Sequence, residues 1–455
     1  MRDFLPEDVR RRSYVIAIIE DVYRRYGFEP LETPALENIE TLTGKYGEEG
    51  NKLIFKVLRR GEHEASGEAD LALRYDLTVP LARVVAEYRG KLARFFKRYQ
   101  IQPVWRADRP ARGRFREFYQ CDVDAIGSRS LVVEVELCAA VSDVLQRLGF
   151  TDFVIKLNHR GVLTGLLDVA GVPADQHAAA LVALDKMDRI GPEGVQRELE
   201  ARGIVTPTLA GTFRNLSSLA DGAANRADAN RAVIDALCGT LTGHEPGAAA
   251  ARDLGEIIDF CGATSAAAHV QVDPALARGL SYYTGAIMEV AVPDLAGSLG
   301  GGGRYDGLIG MFLGEDIPAC GFSLGLERIL VVMAERQMFP ADIQSGAPDV
   351  LVTLFEGEPV QDALRLAADL RAAGWAVEVY PEPDRLGKQF KYASARGIGF
   401  VLVVGADERA KQEVTVKNME TGEQTSAPRA DIASRLGAFR EKPGSRASIA
   451  ATQDS

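Results

Sequence analysis

Two β-rich runs, residues 94–106 (Arg-Phe-Phe-Lys-Arg-Tyr-Gln-Ile-Gln-Pro-Val-Trp-Arg) and 114–127 (Arg-Phe-Arg-Glu-Phe-Tyr-Gln-Cys-Asp-Val-Asp-Ala-Ile-Gly), flank a short loop containing Pro110 and Gly113. Such a pairing predicts an antiparallel hairpin. Side chains alternate along a strand, so Arg114, Arg116, Phe118, Gln120, Asp122 and Asp124 share one face. Phe115, Tyr119, Cys121, Val123 and Ala125 mostly fill the other. One face is therefore a core. The other is a polar array, graded from arginine through an aromatic to an amide and two carboxylates. That order suits phosphates at one end and a cationic group at the other. The solvated outer face of an antiparallel sheet would instead mix its charges in no order.

The hairpin also reverses the sign of the chain. With 53 Lys plus Arg against 64 Asp plus Glu, the net charge is -11 and the pI about 5.2. That balance argues against a generally basic nucleic-acid binder or a binder of anionic membranes. From 91 to 116, however, nine residues are basic (Lys91, Arg94, Lys97, Arg98, Arg106, Arg109, Arg112, Arg114, Arg116) and only Asp108 is acidic. A polyanion must be met locally, unless this is merely a solvated positive face. Hydrophobic residues at 46% and charged residues at 26% exclude wholesale disorder. The five cysteines (121, 138, 238, 261, 320) form no C-x-x-C pair, which fits a reducing cytosol better than a disulfide framework or a structural zinc site. Residues 1–13 carry no secretory pattern, and the most apolar run, 398–404, is too short to span a bilayer.

The length of 455 residues allows about three domains. Residues 6–26 place Val9, Ser13, Ile16, Ile19, Val22 and Tyr26 near helical period before Gly27. Pro30 and Pro34 then exclude a helix over 28–37 and allow an extended edge. Residues 161–255 are Ala-rich with helical spacing, as at 176–184 and 230–241, and read as a helical insertion. The interrupted core covers 1–160 and 256–337: sheet-like sequence resumes over 270–292, and 317–335 reads as a strand passing into a helix. Residues 338–347 read as a linker. Strands at 350–355, 376–380, 399–404 and 413–418 alternate with helices at 360–373 and 386–396, implying a small, mostly parallel α/β domain over 348–440. The tail 441–455 is polar and aperiodic, hence expected to be disordered. Taken alone, the glycines at 300–303 read as a flexible loop, and they match neither a Rossmann nor a P-loop pattern. The histidines at 63, 159, 177, 244 and 269 show no ligand spacing, and none is assigned to catalysis.

Residues 106–120 resemble motif 2 of class II aminoacyl-tRNA synthetases, and Gly-Phe-Ser-Leu-Gly-Leu-Glu-Arg at 321–328 resembles motif 3. Residues 27–37 resemble the proline-bearing dimer motif 1. Two further runs, Leu-Ala-Arg-Gly-Leu-Ser-Tyr-Tyr-Thr-Gly at 276–285 and Gly-Gly-Gly-Arg-Tyr-Asp at 301–306, resemble signatures of the histidyl-tRNA synthetase family. The resemblance extends to about residue 440. It implies an α+β catalytic domain on an antiparallel sheet, a helical insertion, and a C-terminal α/β anticodon-binding domain.

Joining an amino-acid carboxylate to the α-phosphate of ATP brings two anions together, so positive charge is needed where negative charge accumulates. By resemblance Arg106 and Arg278 are catalytic, Arg106 gripping the α-phosphate and the substrate carboxylate and Arg278 approaching from the other side. The resemblance further implies that Arg328 and Phe118 sandwich adenine and that Arg114 reaches the terminal phosphates. It assigns Asp76, Thr78 and Gln120 to the histidine ammonium, Asp124 and Tyr283 to the imidazole ring, and Tyr282 to the pocket wall. Arg109, Arg112 and Arg116 would meet the tRNA acceptor end, and Lys388, Lys391 and Arg396 the anticodon-side phosphates. Ser281 stands where the family has Asp. The implied partners are L-histidine, ATP with Mg2+, tRNA(His) and a second copy of the chain, with no membrane. The rival is a non-catalytic paralogue serving as a regulatory or sensing subunit. Such paralogues erode the ATP arginines or lack the last domain, and neither loss is seen here.

Overall fold

The computed structural model describes residues 1–59, 67–206, 209–219, 224–277, 282–340, 343 and 346–440. Two units divide the chain, Met1–Asp3 with Arg11–Met338 and Phe4–Arg10 with Phe339–Ser455. The helix Pro6–Arg25 buries Val15, Ile19, Val22 and Tyr23 at helical spacing. Gly27, at φ +78, turns the chain out of it. The two prolines that follow leave only short strands, β1 (Glu29–Pro30) and β2 (Leu36–Asn38). With β3 (Lys56–Leu58) and β4 (Ala69–Leu73), β2 forms a small antiparallel sheet, β2-β4-β3. Arg74, 1% exposed, fixes the proline segment: it donates to the Thr33 carbonyl at 2.6 Å and to the Pro103 carbonyl at 2.8 Å.

The expected hairpin is β5 (Phe96–Trp105) and β6 (Glu117–Ile126), with Phe96 opposite Ile126 and Trp105 opposite Glu117. β7 (Val154–His159), β8 (Val270–Val272), β9 (Ala286–Ala291), β10 (Ser298–Arg304) and β11 (Ala319–Gly325) complete an eight-stranded sheet, ordered β1-β5-β6-β11-β10-β9-β7-β8. Its inner pairings are antiparallel; only the edge pairs β1/β5 and β7/β8 are parallel. Among its described residues, the stretch 270–292, expected as resumed sheet, is strand only towards its two ends. The glycines at 300–303 lie in β10 and not in a loop. A Cβ on Gly300 would run into the Ser323 carbonyl and one on Gly302 into the Gly321 carbonyl, so only glycine lets β10 approach β11 this closely.

Between β7 and β8 the described residues form helices and no strand, from Arg160–Val169 to Glu245–Cys261. Two of these helices start on a histidine: the Nδ1 of His159 accepts the Gly161 N–H at 3.0 Å, and that of His244 accepts the Gly247 N–H at 3.1 Å. Arg278 and Ser281, His63, part of the linker at 338–347 and the tail at 441–455 lie outside the described residues.

The second unit contains β12 (Val350–Val352), β13 (Val377–Val379), β14 (Phe400–Val403), β15 (Glu413–Asn418) and β16 (Gln424–Pro428), ordered β13-β12-β14-β15-β16. Val352, Leu366, Leu370, Trp375, Leu402 and Val414 are among its buried core. The sheet is mixed, not mostly parallel: β12 pairs parallel with β13 and β14, whereas β14/β15 and β15/β16 are antiparallel. The connection 404–412 is shorter than the dozen or so residues a parallel crossover needs, so β15 must return alongside β14. The polar Gln-Thr-Ser-Ala-Pro of β16 offers no apolar alternation by which to predict a strand.

Candidate active site

A cavity of about 400 Å³ opens over Phe118 and Gln120 of β6 and the glycines of β10. The even face of β6 is not solvated: Gln120, Asp122 and Asp124 are all buried. Arg106, which follows β5, lines the cavity. Its Nε donates to the Tyr75 carbonyl at 3.0 Å, and its guanidinium lies 4.3 Å over the Tyr75 ring and 5.1 Å from the Phe118 ring centroid. The aromatic faces orient the cation without neutralising it. Arg114 is exposed and also lines the cavity. So does Arg328, in the first turn of the helix Leu326–Glu335. Its guanidinium donates to the Ser298 carbonyl, and its stem lies close to Gly113 at the loop's end, where φ is +68.

Asp76 lies just ahead of the helix Thr78–Tyr88. Its Oδ1 accepts the Val79 N–H and the Tyr46 hydroxyl, each at 3.0 Å, while Tyr282 donates to Oδ2 at 3.4 Å. Burial pushes its carboxyl pKa up, against the lowering by those bonds and by Arg106. Thr78, Tyr282 and Tyr283 line the cavity beside it. The two tyrosine rings meet edge to face at 5.2 Å, and burial raises both phenols. Gln120 donates from Nε2 to Ser323 Oγ at 2.9 Å; its Oε1 is buried with no hydrogen-bond partner among the described residues. An amide acceptor and a carboxylate in one cavity with three arginines suit a zwitterion beside a polyphosphate.

Nine expected site residues thus line one cavity: Asp76, Thr78, Arg106, Arg114, Phe118, Gln120, Tyr282, Tyr283 and Arg328. Asp124 does not. Its carboxylate is 2% exposed behind the lining, paired with Arg98 at 2.8 Å and accepting the Tyr305 hydroxyl at 2.6 Å. Of the loop arginines, Arg109 is exposed, and Arg116 donates to the Asp108 carbonyl at 3.2 Å. Arg112 is held by the Glu335 carboxylate and the Asp294 carbonyl. Lys388, Lys391 and Arg396 are exposed on one helix of the second unit, Leu386–Arg396. There Lys388 pairs with Asp384 at 3.0 Å and Arg396 with Glu378 at 3.4 Å.

The basic stretch 91–116 is not one face. Arg98 is fully buried, and Lys97 donates to the Tyr26 carbonyl at 2.6 Å while pairing with Glu136 at 3.0 Å. Sequence reasoning missed Ser323, Glu289 and Ser298, which also line the cavity. Ser323 lies within the motif 3 run and opposite Asp122 in the sheet, a place the register alone would have revealed. No cluster of three or more His, Cys, Asp or Glu able to hold a metal occurs among the described residues, and none of their helices is long and apolar enough to cross a membrane.

An antiparallel sheet that converges Arg106, Arg114 and Arg328 on a cavity lined by Phe118 defines a class II aminoacyl-tRNA synthetase core. The model described as Histidyl-tRNA synthetase matches residues 1–329, and that described as Anticodon binding domain matches 349–438. The histidine–tRNA ligase of Porphyromonas gingivalis is 42% identical over 456 residues, covering 96% of this chain and 98% of that protein. That of Gloeobacter violaceus is also 42% identical, covering 96% and 97%. The crystal structure of the histidyl-tRNA synthetase from a Nostoc species superposes with a TM-score of 0.80 at 31% identity, covering 96% and 97%. The chain belongs to the histidyl-tRNA synthetase family.

Proposed function

We propose that the chain is a histidine–tRNA ligase: it forms histidyl-adenylate from L-histidine and ATP, releases pyrophosphate, and transfers the histidyl group to the terminal ribose of tRNA(His). The observation that carries this reading is the single cavity in which Asp76, Gln120 and the two tyrosines meet Arg106, Arg114, Phe118 and Arg328.

Asp76, Thr78 and Gln120 take the α-ammonium. Arg106 holds the histidine carboxylate against the α-phosphate, where its positive charge offsets the charge that builds up as the two anions join. Arg278 serves the same transition state. Adenine stacks between Phe118 and Arg328, Arg114 reaches the terminal phosphates, and Mg2+ enters with the triphosphate as part of the substrate. Tyr283 and Asp124 address the imidazole ring. No side chain need act as a covalent nucleophile. Arg109, Arg112 and Arg116 serve the acceptor end of the tRNA, Arg112 after release from Glu335. Lys388, Lys391 and Arg396 serve its anticodon side.

The working unit is a homodimer, supported by the proline segment and by exposed Leu36, Val57 and Leu58 on β2 and β3 (43%, 37% and 53%). Five unpaired cysteines suit a reducing cytosol. Pyrophosphate exchange across the twenty amino acids tests the reading: exchange with histidine alone is expected, and exchange with none, or equally with another amino acid, would overturn it.

A further inference from the structure

Behind the cavity lining, β5 and β6 bury three charges together. Arg98, Asp122 and Asp124 are 0%, 1% and 2% exposed. Register explains the grouping: Arg98 stands opposite Asp124 across the β5/β6 ladder, and Asp122 is two residues along on the same face. One guanidinium therefore serves two carboxylates, and serves them unequally. Its Nη2 lies 2.8 Å from Asp124 and 3.8 Å from Asp122. Asp124 is also held by the Tyr305 hydroxyl at 2.6 Å. Three atoms of the group lack a hydrogen-bond partner among the described residues: Nε of Arg98, Oδ1 of Asp122 and Oδ2 of Asp124, the last held by the ion pair with Arg98 alone. Buried carboxylates with idle oxygens beside a guanidinium with an idle donor are costly.

The distances explain it as one half of an exchange. A carboxylate held by the charge of a guanidinium on one oxygen and by a phenol on the other must loosen one of these contacts to turn towards an imidazole N–H. A second carboxylate one step along the strand can receive the guanidinium without leaving a buried cation unpaired. We infer that Arg98 is passed between the two carboxylates, gripped by Asp124 until histidine arrives and taken by Asp122 as Asp124 turns to the substrate ring, so that Asp122 and Arg98 are positioning residues for histidine recognition. This rests on the reading of Asp124 as a ring anchor.

The exchange requires Asp122 to be ionised, and its carboxyl is pushed up to about 7, burial being the largest cause, opposed by Arg98 and reinforced by the charge of Asp124. Also facing it are Asp76, the Ser323 hydroxyl on β11, Tyr283 before β9, Tyr23 on the first helix and Arg74 after β4. The recognition step is therefore expected to strengthen as pH rises through about 7.

The test is Asp122→Asn, which keeps the shape but cannot take the cation. In pyrophosphate exchange its KM for histidine is expected to rise about tenfold, one charge-assisted hydrogen bond's share of affinity, with kcat and the KM for ATP within about twofold. The rise of kcat/KM for histidine near pH 7 should vanish from the variant, leaving only the ionisations of free histidine. A wild-type histidine KM with an unchanged pH profile overturns the exchange, as does a uniform loss of kcat and ATP affinity, which marks a merely structural residue. If Asp122→Asn does not fold, Arg98→Lys decides: it keeps the charge without the fork, and an unaltered histidine KM overturns the inference. Asp124→Asn separates the two readings. No effect there removes the ring anchor itself; a large effect there with none at Asp122 removes only the exchange.

Discussion

Replacing Asp76 by asparagine should separate recognition from stability. The asparagine keeps an oxygen for the Val79 N–H and the Tyr46 hydroxyl, both 3.0 Å away, and it starts a helix as well as aspartate does. What it removes is a charge that burial disfavours. The folded carboxyl titrates above its ordinary range, with burial as the largest cause. Between the unfolded and folded pKa the native state thus binds more protons than the unfolded chain. Stability from this group is full below the unfolded pKa and is lost as pH rises through the folded one. The charged form of Asp76 therefore costs stability once pH passes the folded pKa, and Asp76→Asn should leave the unfolding free energy at neutral pH equal or higher, with any loss under about 1 kcal/mol. Recognition should move the other way. A charge-assisted hydrogen bond to the α-ammonium contributes roughly 1.5–3 kcal/mol, which predicts about a 10- to 150-fold rise in the KM for histidine. Urea unfolding and histidine-dependent pyrophosphate exchange on one preparation measure both. An unchanged histidine KM, or a loss of more than about 2 kcal/mol on unfolding, would refute the reasoning.

Three further outcomes follow from particular contacts. Burial pulls His159 down to about 4 from the usual 6.5, so below 6.5 the unfolded chain takes up a proton that the native state refuses; stability should fall by roughly 3 kcal/mol between those values, and His159→Asn, which keeps the cap, should flatten that slope in acid unfolding curves. Gly302→Ala sets a methyl group against the Gly321 carbonyl and should lower stability by more than about 2 kcal/mol as β10 and β11 are forced apart; a wild-type Tm would count against the close approach. Replacing Lys388, Lys391 and Arg396 together by glutamate should lower kcat/KM for tRNA and its salt dependence while leaving pyrophosphate exchange untouched, and equal charging would dismiss that helix as a tRNA contact.

What could be read from the chain was local, and what could not was pairwise. Leu386–Arg396 and Glu413–Asn418 have the predicted bounds because their apolar period, and for the helix the Gly397 that follows it, mark them without reference to the rest of the fold. The hairpin was legible for the same reason. The role of Arg98 was not: as one of nine basic residues between 91 and 116 it reads as part of a positive face, and only its register against Asp124 turns it inward. The glycines of β10 read as a loop because the property that makes them a strand, the nearness of two carbonyls on β11, belongs to another segment. Asp124 was correctly grouped with Gln120 on one face, yet period two cannot tell how deep along a strand the lining ends. The same limit bears on charge. The chain's net charge of -11 and the basic run within it are sums over residues, whereas Arg106, Arg114 and Arg328 line the cavity and Arg98 lies beneath it against two buried carboxylates. A basic segment therefore identifies where anions are met only after the cations neutralised within the fold have been set aside, and that subtraction requires the strand register.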